Sequence, residues 1–302
     1  LFGSGNMAKE HFKAFSSFIN FKFVGVVARN KQKLKKFSEK HQIPYFSTDP
    51  IKAHLDTKPD LVIIAVSELS LHGLCKKIVK FKSTLLIEKP MGYNYEQSKK
   101  IVQLFDLNKK NAFIAMNRRH YESTRQLIKI LSKRKGKRFV VVNDQEDLIQ
   151  QKKNNVPNKV IKNFMYANSI HLIDYFNIFC RGSLLNVNTI NNFNKEPYFV
   201  QSTLNFSSGD KGIYFAIYDK PAPWFVTVKL NNNFFVLKPL ENLNSNIKII
   251  KPKIKGSNDR DFKPGFRLQA KETLNYFLGK KHLLPSYKHA FESISIIKQI
   301  YK

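Results

Sequence analysis

His171 is the residue of this chain best suited to move a proton, Lys89 to polarise an oxygen, and a glycine turn at its start to hold an anion. The turn reads Gly3-Ser4-Gly5-Asn6-Met7-Ala8, a G-x-G-x-x-A pattern. Gly3 permits a tight turn, Gly5 lets backbone approach a pyrophosphate, and Ala8 lets the next helix pack against its strand. The first amides of that helix, at Asn6 and Met7, then point at the phosphates. Lys89 follows the apolar run Leu85-Leu86-Ile87 in Glu88-Lys89-Pro90. An ammonium group at the carboxyl end of a parallel strand faces the crevice where such sheets bind ligands. There it can hydrogen-bond a hydroxyl and stabilise a developing alkoxide. His171 offers an imidazole that can take a hydroxyl proton as hydride leaves the same carbon. Asp174 lies at i+3, where it can orient the imidazole or a hydroxyl. Taken alone, His171 beside Leu172 and Ile173 reads more readily as a satisfied core residue than as a catalyst, and Asp174 reads as a solvated carboxylate.

The elements that must position these groups alternate over the first third of the chain. Helices are expected over Met7 to Phe18, Asn30 to Lys40, Leu71 to Phe81 and Tyr95 to Asn108, with a helical turn at Ile51 to Leu55. Strands are expected over Phe23 to Ala28, Ile43 to Phe46, Asp60 to Val66, Thr84 to Ile87 and Ala112 to Met116. That alternation implies an α/β domain with a parallel, doubly wound sheet. Only Leu1 and Phe2 precede the glycine turn, where the fold calls for a strand of about five or six residues. The first strand is therefore expected to be largely missing. After Met116 the rhythm changes. A helix from Glu122 to Leu131, a strand from Phe139 to Val142, a polar loop from Gln150 to Lys159 and a helix from Ser169 to Phe179 lead into strand-like segments from Leu185 to Lys255. Helices over Phe266 to Leu278 and His289 to Tyr301 end the chain. The expected division is 1–117 as a Rossmann dinucleotide-binding domain and 118–302 as an α+β domain on a mostly antiparallel open sheet.

Where the second strand ends, an Asp or Glu would bind the ribose of NAD; Ala28 stands there, followed by Arg29. Without the carboxylate nothing repels a 2′-phosphate, and Arg29 can pair with it, which tips the choice slightly to NADP over NAD. Arg29 reads nearly as well as a residue stacked on adenine or facing solvent.

The 302 residues carry 52 Lys and Arg against 22 Asp and Glu, a formal charge of +30. Such an excess raises nucleic-acid binding. Here the positives spread over nearly every helix, as in Lys31, Lys33, Lys35 and Lys36, with no recognised nucleic-acid motif. They read as solvated faces, and no nucleic acid is expected as a partner. A positive field still favours anionic ligands such as a phosphorylated cofactor or a nucleotide sugar. Cys75 and Cys180 are far apart and lack clustered His or Cys, so no metal and no disulfide framework is expected, which suits a reducing cytoplasm. No apolar run approaches a membrane span.

In these motifs the chain resembles the Gfo/Idh/MocA oxidoreductases, the family of glucose–fructose oxidoreductase and inositol dehydrogenase. The likeness runs through the glycine turn, Ala65-Val66-Ser67 with His72 downstream, Glu88-Lys89-Pro90, Asn117-Arg118-Arg119 and His171-Leu172-Ile173-Asp174. It implies an NAD(P)-dependent dehydrogenase acting on a secondary alcohol or ketone of a sugar, sugar phosphate or nucleotide sugar, as in polysaccharide biosynthesis. Lys89 and His171 would be catalytic. Asn117, Arg118, Asn168 and Asp174 would meet substrate. Gly3, Ser4, Gly5, Asn6, Met7, Arg29, Val66, Ser67, His72, Glu88 and Lys89 would meet cofactor. Family members often have a cis bond before the proline matching Pro90, and associate through the second domain's open sheet, so a homodimer or homotetramer is expected. Two departures stand out. Many members place an Asp four residues before the His, where this chain has Ala167; and Glu68-Leu69 replaces a common Pro-Asn. The first leaves room for a cofactor-binding regulatory protein or pseudo-enzyme, or for a net non-redox sugar-modifying enzyme.

Overall fold

The computed structural model describes residues 1–191, 198–218, 223–246 and 257–302. Its first apolar runs become the parallel strands β1 (Val26–Val27), β2 (Phe46–Ser47), β3 (Leu61–Ile64), β4 (Thr84–Glu88) and β5 (Ala112–Ala115). Phe2 bridges Val27 on one side and Ile64 on the other, both in parallel, so it joins the β1–β2 pair to the β3–β4–β5 sheet. Between the strands run α1 (Asn6–Ser16), α2 (Lys31–Lys40), α3 (Pro50–Thr57), α4 (Glu68–Ile78) and α5 (Tyr95–Leu107). The helix starts follow side-chain chemistry. Asn30, Asp49, Ser67 and Asn94 each accept a backbone N–H in the first turn of α2, α3, α4 and α5. Glu68 and Leu69 thus open α4. Ala8, Ala14 and Phe15 of α1 bury with Leu34, Phe37, Ile63, Leu86 and Ala115. Each fully buried large side chain in that cluster contributes about 1.5–3 kcal/mol, which fixes α1 over the strand ends.

The expected strands over 23–28 and 43–46 shorten for local reasons. Phe23 turns its ring onto Phe12, 4.7 Å away, leaving only Val26 and Val27 in the ladder. Ile43 donates its N–H back to Ser38 at the end of α2, so pairing begins at Phe46.

The second compact unit is Arg118–Arg260 with Glu292–Lys302. It opens with α6 (Glu122–Ser132), then β6 (Arg138–Glu146), which runs four residues beyond the expected strand. The expected polar loop at 150–159 is largely helical, as α7 (Leu148–Lys153) and α8 (Asn158–Ile161), because Asp147 caps the Gln150 N–H at 2.8 Å. A π turn, Met165–Ser169, leads into α9 (Ile170–Phe179), which is buried along most of its length. Then follow β7 (Leu184–Asn191), β8 (Phe199–Phe206), β9 (Lys211–Tyr218), β10 (Phe225–Leu230), β11 (Asn233–Leu237), β12 (Leu243–Ser245) and the short α10 (Ser257–Arg260). Residues 192–197, 219–222 and 247–255 of the expected strand-like stretch lie outside the described residues. The sheet order is β12-β11-β10-β6-β9-β8-β7, with β6–β9 the one parallel pair and every other neighbour antiparallel.

The expected boundary at 117 is only half the division. Residues 261–291, with α11 (Phe266–Phe277) and the start of α12 (Tyr287–Ile300), return to the first unit. Phe266 and Ala270 enter the cluster around α1, the Phe266 ring lies 4.9 Å from His11, and Ile114 donates its N–H to Pro285. Burial of that apolar face, rather than chain order, assigns the helix.

Candidate active site

The glycine turn sits between Phe2 and α1. Gly3 has φ +116, and a Cβ there would lie 2.1 Å from the carbonyl oxygen of Ala65. No side chain fits. Gly5 is the N-cap of α1, with φ −82 and ψ −170, and no side chain caps the helix. A Cβ on Gly5 would meet nothing within 4 Å. The fold therefore needs Gly3 bare, whereas no protein atom requires a bare backbone at Gly5. Beside the turn lies a cavity of about 600 Å³ walled by Gly3, Ser4, Gly5, Arg29, Val66 and Ser67, with Ser70, Gly73, Leu74 and Lys77 from α4. Uncapped helix amides, glycine backbone and two cations in its wall fit the diphosphate of a dinucleotide. Asn6 and Met7 form the first turn of α1, where their amides lead the helix, and the Met7 sulfur lies 3.3 Å from Lys263 Nζ.

Glu88, Lys89 and Pro90 close β4, and the Lys89–Pro90 peptide is cis. Lys89 is half-buried. Glu88 and His72 were both expected beside the cofactor. Glu88 is bonded through its Oε2 to Nε2 of His11 at 2.8 Å, tying the end of β4 to α1. His72 is not among the residues walling that cavity; burial, then Lys76 and Lys100, lower its pKa. Asn117, expected to bind substrate, is buried and donates Nδ2 to the carbonyl of Pro264 at 3.0 Å.

The second unit carries the remaining groups. Arg118 lays its guanidinium 4.7 Å from the centre of the Trp224 ring. Arg119 grips Asp174 with two bonds of 2.6 Å, Nε to Oδ2 and Nη2 to Oδ1. Burial works against the Arg119 charge, but the carboxylate beside it outweighs that and raises its pKa. Ser293 adds a third bond to Asp174 Oδ1 at 2.6 Å. Asp174 is thus not a solvated carboxylate; it anchors α9 on Arg119. His171, the second residue of α9, is 6% exposed. Asn168, expected to meet substrate, donates Nδ2 to Glu146 Oε2 at 2.8 Å.

Glu146 and its neighbour Asp144 have no place in the sequence reading. They continue the buried face of β6 after Val140 and Val142, at i+2 spacing, so carrying the strand past Val142 would have exposed them as acids in apolar positions. Burial, then the Asp144 charge, push the Glu146 pKa well above the ordinary range, and burial raises Asp144 too. His11 was also missed, since nothing local marks it. No group of three or more His, Cys, Asp or Glu suited to a metal occurs among the described residues.

Residues 1–117 match the family model described as "Oxidoreductase family, NAD-binding Rossmann fold". Solved structures share the whole fold. The WlbA dehydrogenase from Bordetella pertussis, solved with NADH and UDP-GlcNAcA, has a TM-score of 0.80 at 16% identity, over 99% of this chain and 93% of its own. An oxidoreductase from Thermotoga maritima gives 0.80 at 16% identity, covering 100% and 94%. UDP-N-acetylglucosamine 3-dehydrogenase GnnA from Acidithiobacillus ferrooxidans gives 0.75 at 12% identity, covering 99% and 94%. At these identities the likeness is one of fold. No curated protein matches the chain in sequence.

Proposed function

We propose, from the match of residues 1–117 to a family model of NAD-binding oxidoreductases, that the chain is a dehydrogenase of a nucleotide sugar. The observation that carries this reading is the bare glycine cradle and its cavity, opened at the strand ends of the same sheet whose β4 ends in Lys89. Gly3, Ser4 and Gly5 would hold the diphosphate on the α1 amides, with Val66 and Ser67 beside it and Arg29 within reach of a 2′-phosphate. A bound nicotinamide supplies or accepts the hydride. Lys89 donates a hydrogen bond to the substrate oxygen and stabilises its negative charge as the proton leaves. His171 takes or returns that proton. The basic chain and the nucleotide sugar bound by the Bordetella neighbour support a substrate carrying phosphates. Arg118, partly buried over Trp224, is the cation we assign to it. The seven-stranded sheet leaves Phe139 exposed and Phe199, Phe215 and Phe225 half-buried, and we assign that face to self-association.

The test is a thermal-shift series with NADH and NADPH, then with sugars, sugar phosphates and nucleotide sugars beside the cofactor. Stabilisation by a dinucleotide, increased by a nucleotide sugar, is expected; no shift with either dinucleotide overturns the proposal. Lys89→Ala should keep the cofactor shift and lose turnover. Ala167, in place of a carboxylate, favours one rival, a cofactor-binding protein without catalysis, and measurable NADH production eliminates it.

A further inference from the structure

We infer that Glu146 is a positioning residue for proton transfer, holding from the neighbouring strand the π turn that carries the chain into His171. The inference rests on the reading of His171 as the proton-transfer group. Two bonds define the contact. Asn168 Nδ2 donates to Glu146 Oε2 at 2.8 Å, and Ser169 Oγ lies 3.2 Å from Oε1. Asn168 and Ser169 are the last two residues of the π turn, and His171 is the second residue of the helix that follows. Such single wide turns are a common device for aiming a side chain at a functional site. Ala167 cannot anchor its own turn with a carboxylate. Glu146 supplies a carboxyl group from β6, reaching the next two residues instead.

The carboxyl group does this as a neutral acid. Glu146 is 2% exposed and Asp144 is fully buried two residues away on the same strand face. Burial and the Asp144 charge disfavour a second negative charge at Glu146. Asp144 already accepts the Gln145 N–H and the Tyr214 hydroxyl, each at 2.8 Å, and so is the better hydrogen-bonded holder of the negative charge. The other groups facing the pair are Arg118 and the phenols of Tyr214, Tyr218 and Tyr301, with Tyr301 bonded to both other phenols. All three tyrosines are raised by burial and stay protonated. Burial and Asp144 together raise Glu146, consistent with one proton residing there. A neutral acid has one oxygen to accept from Asn168 and one hydroxyl to share with Ser169. A glutamine reproduces that set; an alanine removes it.

The experiment follows the His171 ring by NMR in full-length protein with isotope-labelled histidine, its signals assigned from His171→Asn. Glu146→Gln should leave the His171 titration midpoint within about 0.3 pH unit of wild type, and Glu146→Ala should displace it by more than that. Thermal melting and the unlabelled-region spectrum confirm that each variant is folded. With the turnover substrate found in the panel, Glu146→Ala should lose on the order of 100-fold in kcat with little change in KM, and Glu146→Gln less than about threefold. A folded Glu146→Ala with unchanged His171 signals overturns the inference, as does a Glu146→Gln that moves them equally. If Glu146→Ala does not fold, Asn168→Ala replaces it and should move the same signals; unmoved signals there also overturn the inference. Failure of the underlying reading is distinct: His171→Asn would then keep full turnover, whatever Glu146 does to its ring.

Discussion

Gly5→Ala separates a glycine kept for folding from one kept for a ligand. The backbone at Gly5 is extended, at φ −82 and ψ −170, so alanine adopts it without strain. The new methyl meets no protein atom within 4 Å. Alanine is a poorer N-cap than glycine by about 0.5–1 kcal/mol. It also restricts the unfolded chain, which returns about 0.4–1 kcal/mol. The two nearly cancel, so melting should move by less than about 3 °C. The methyl does occupy the space through which a diphosphate reaches the first amides of α1. Losing one or two charge-assisted hydrogen bonds there costs about 2–4 kcal/mol, roughly a 30- to 1000-fold rise in Kd. Melting curves and a fluorescence titration with NADH and NADPH measure both quantities on one preparation. Gly3→Ala is the contrast: with φ +116 and a carbonyl oxygen 2.1 Å from the new atom, it should cost about 3 kcal/mol or more in stability. Binding of both dinucleotides by Gly5→Ala within about threefold of wild type would refute the reasoning, because the bare backbone would then serve no ligand.

Arg119→Met leaves Asp174 buried and without its main partner, and should lower unfolding stability in urea by about 3–5 kcal/mol; Asp174→Leu added to it should recover much of that loss, and no recovery would count against the ion pair as the cause. His120 is fully buried with neither ring nitrogen hydrogen-bonded among the described residues, and burial, then Arg125 and Arg119, depress its pKa to about 3. Because the unfolded chain then binds the extra proton first, stability should fall as pH drops from about 6.5 to about 3, by up to about 1.4 kcal/mol per pH unit from this group. His120→Phe should remove that component, and an unchanged slope of urea stability against pH would show that it does not come from His120. Arg29→Ala should weaken NADPH binding about 5- to 30-fold while leaving NADH within about twofold; a constant NADPH-to-NADH ratio would assign Arg29 to adenine or solvent.

The parallel half of the fold was legible because its strands are buried on both faces and read as apolar runs, as Leu85-Leu86-Ile87 does. The place of the glycine turn before α1 and of Lys89 just past β4 was legible for a related reason: both are fixed by neighbours in sequence. Asp174 was not, because its partners Arg119 and Ser293 lie far along the chain and nothing near it announces an ion pair. The bond of Glu88 to His11, 77 positions away, was equally hidden. Helix α11 shows the same limit on a larger scale. Its apolar stripe says that Phe266 and Ala270 must be covered, but not by which unit.

That divided ownership of the chain sets a timetable on the ribosome. The first unit receives α11 only after Arg118–Arg260, roughly 140 residues, have been synthesised. At about 5–20 residues per second, the nascent sheet waits roughly 7–30 s with the face around Ala8 and Phe15 uncovered. For that interval the growing polypeptide presents an apolar surface with no partner of its own, and a chaperone that binds such surfaces has a defined moment to act: after β5 has emerged and before Phe266 has.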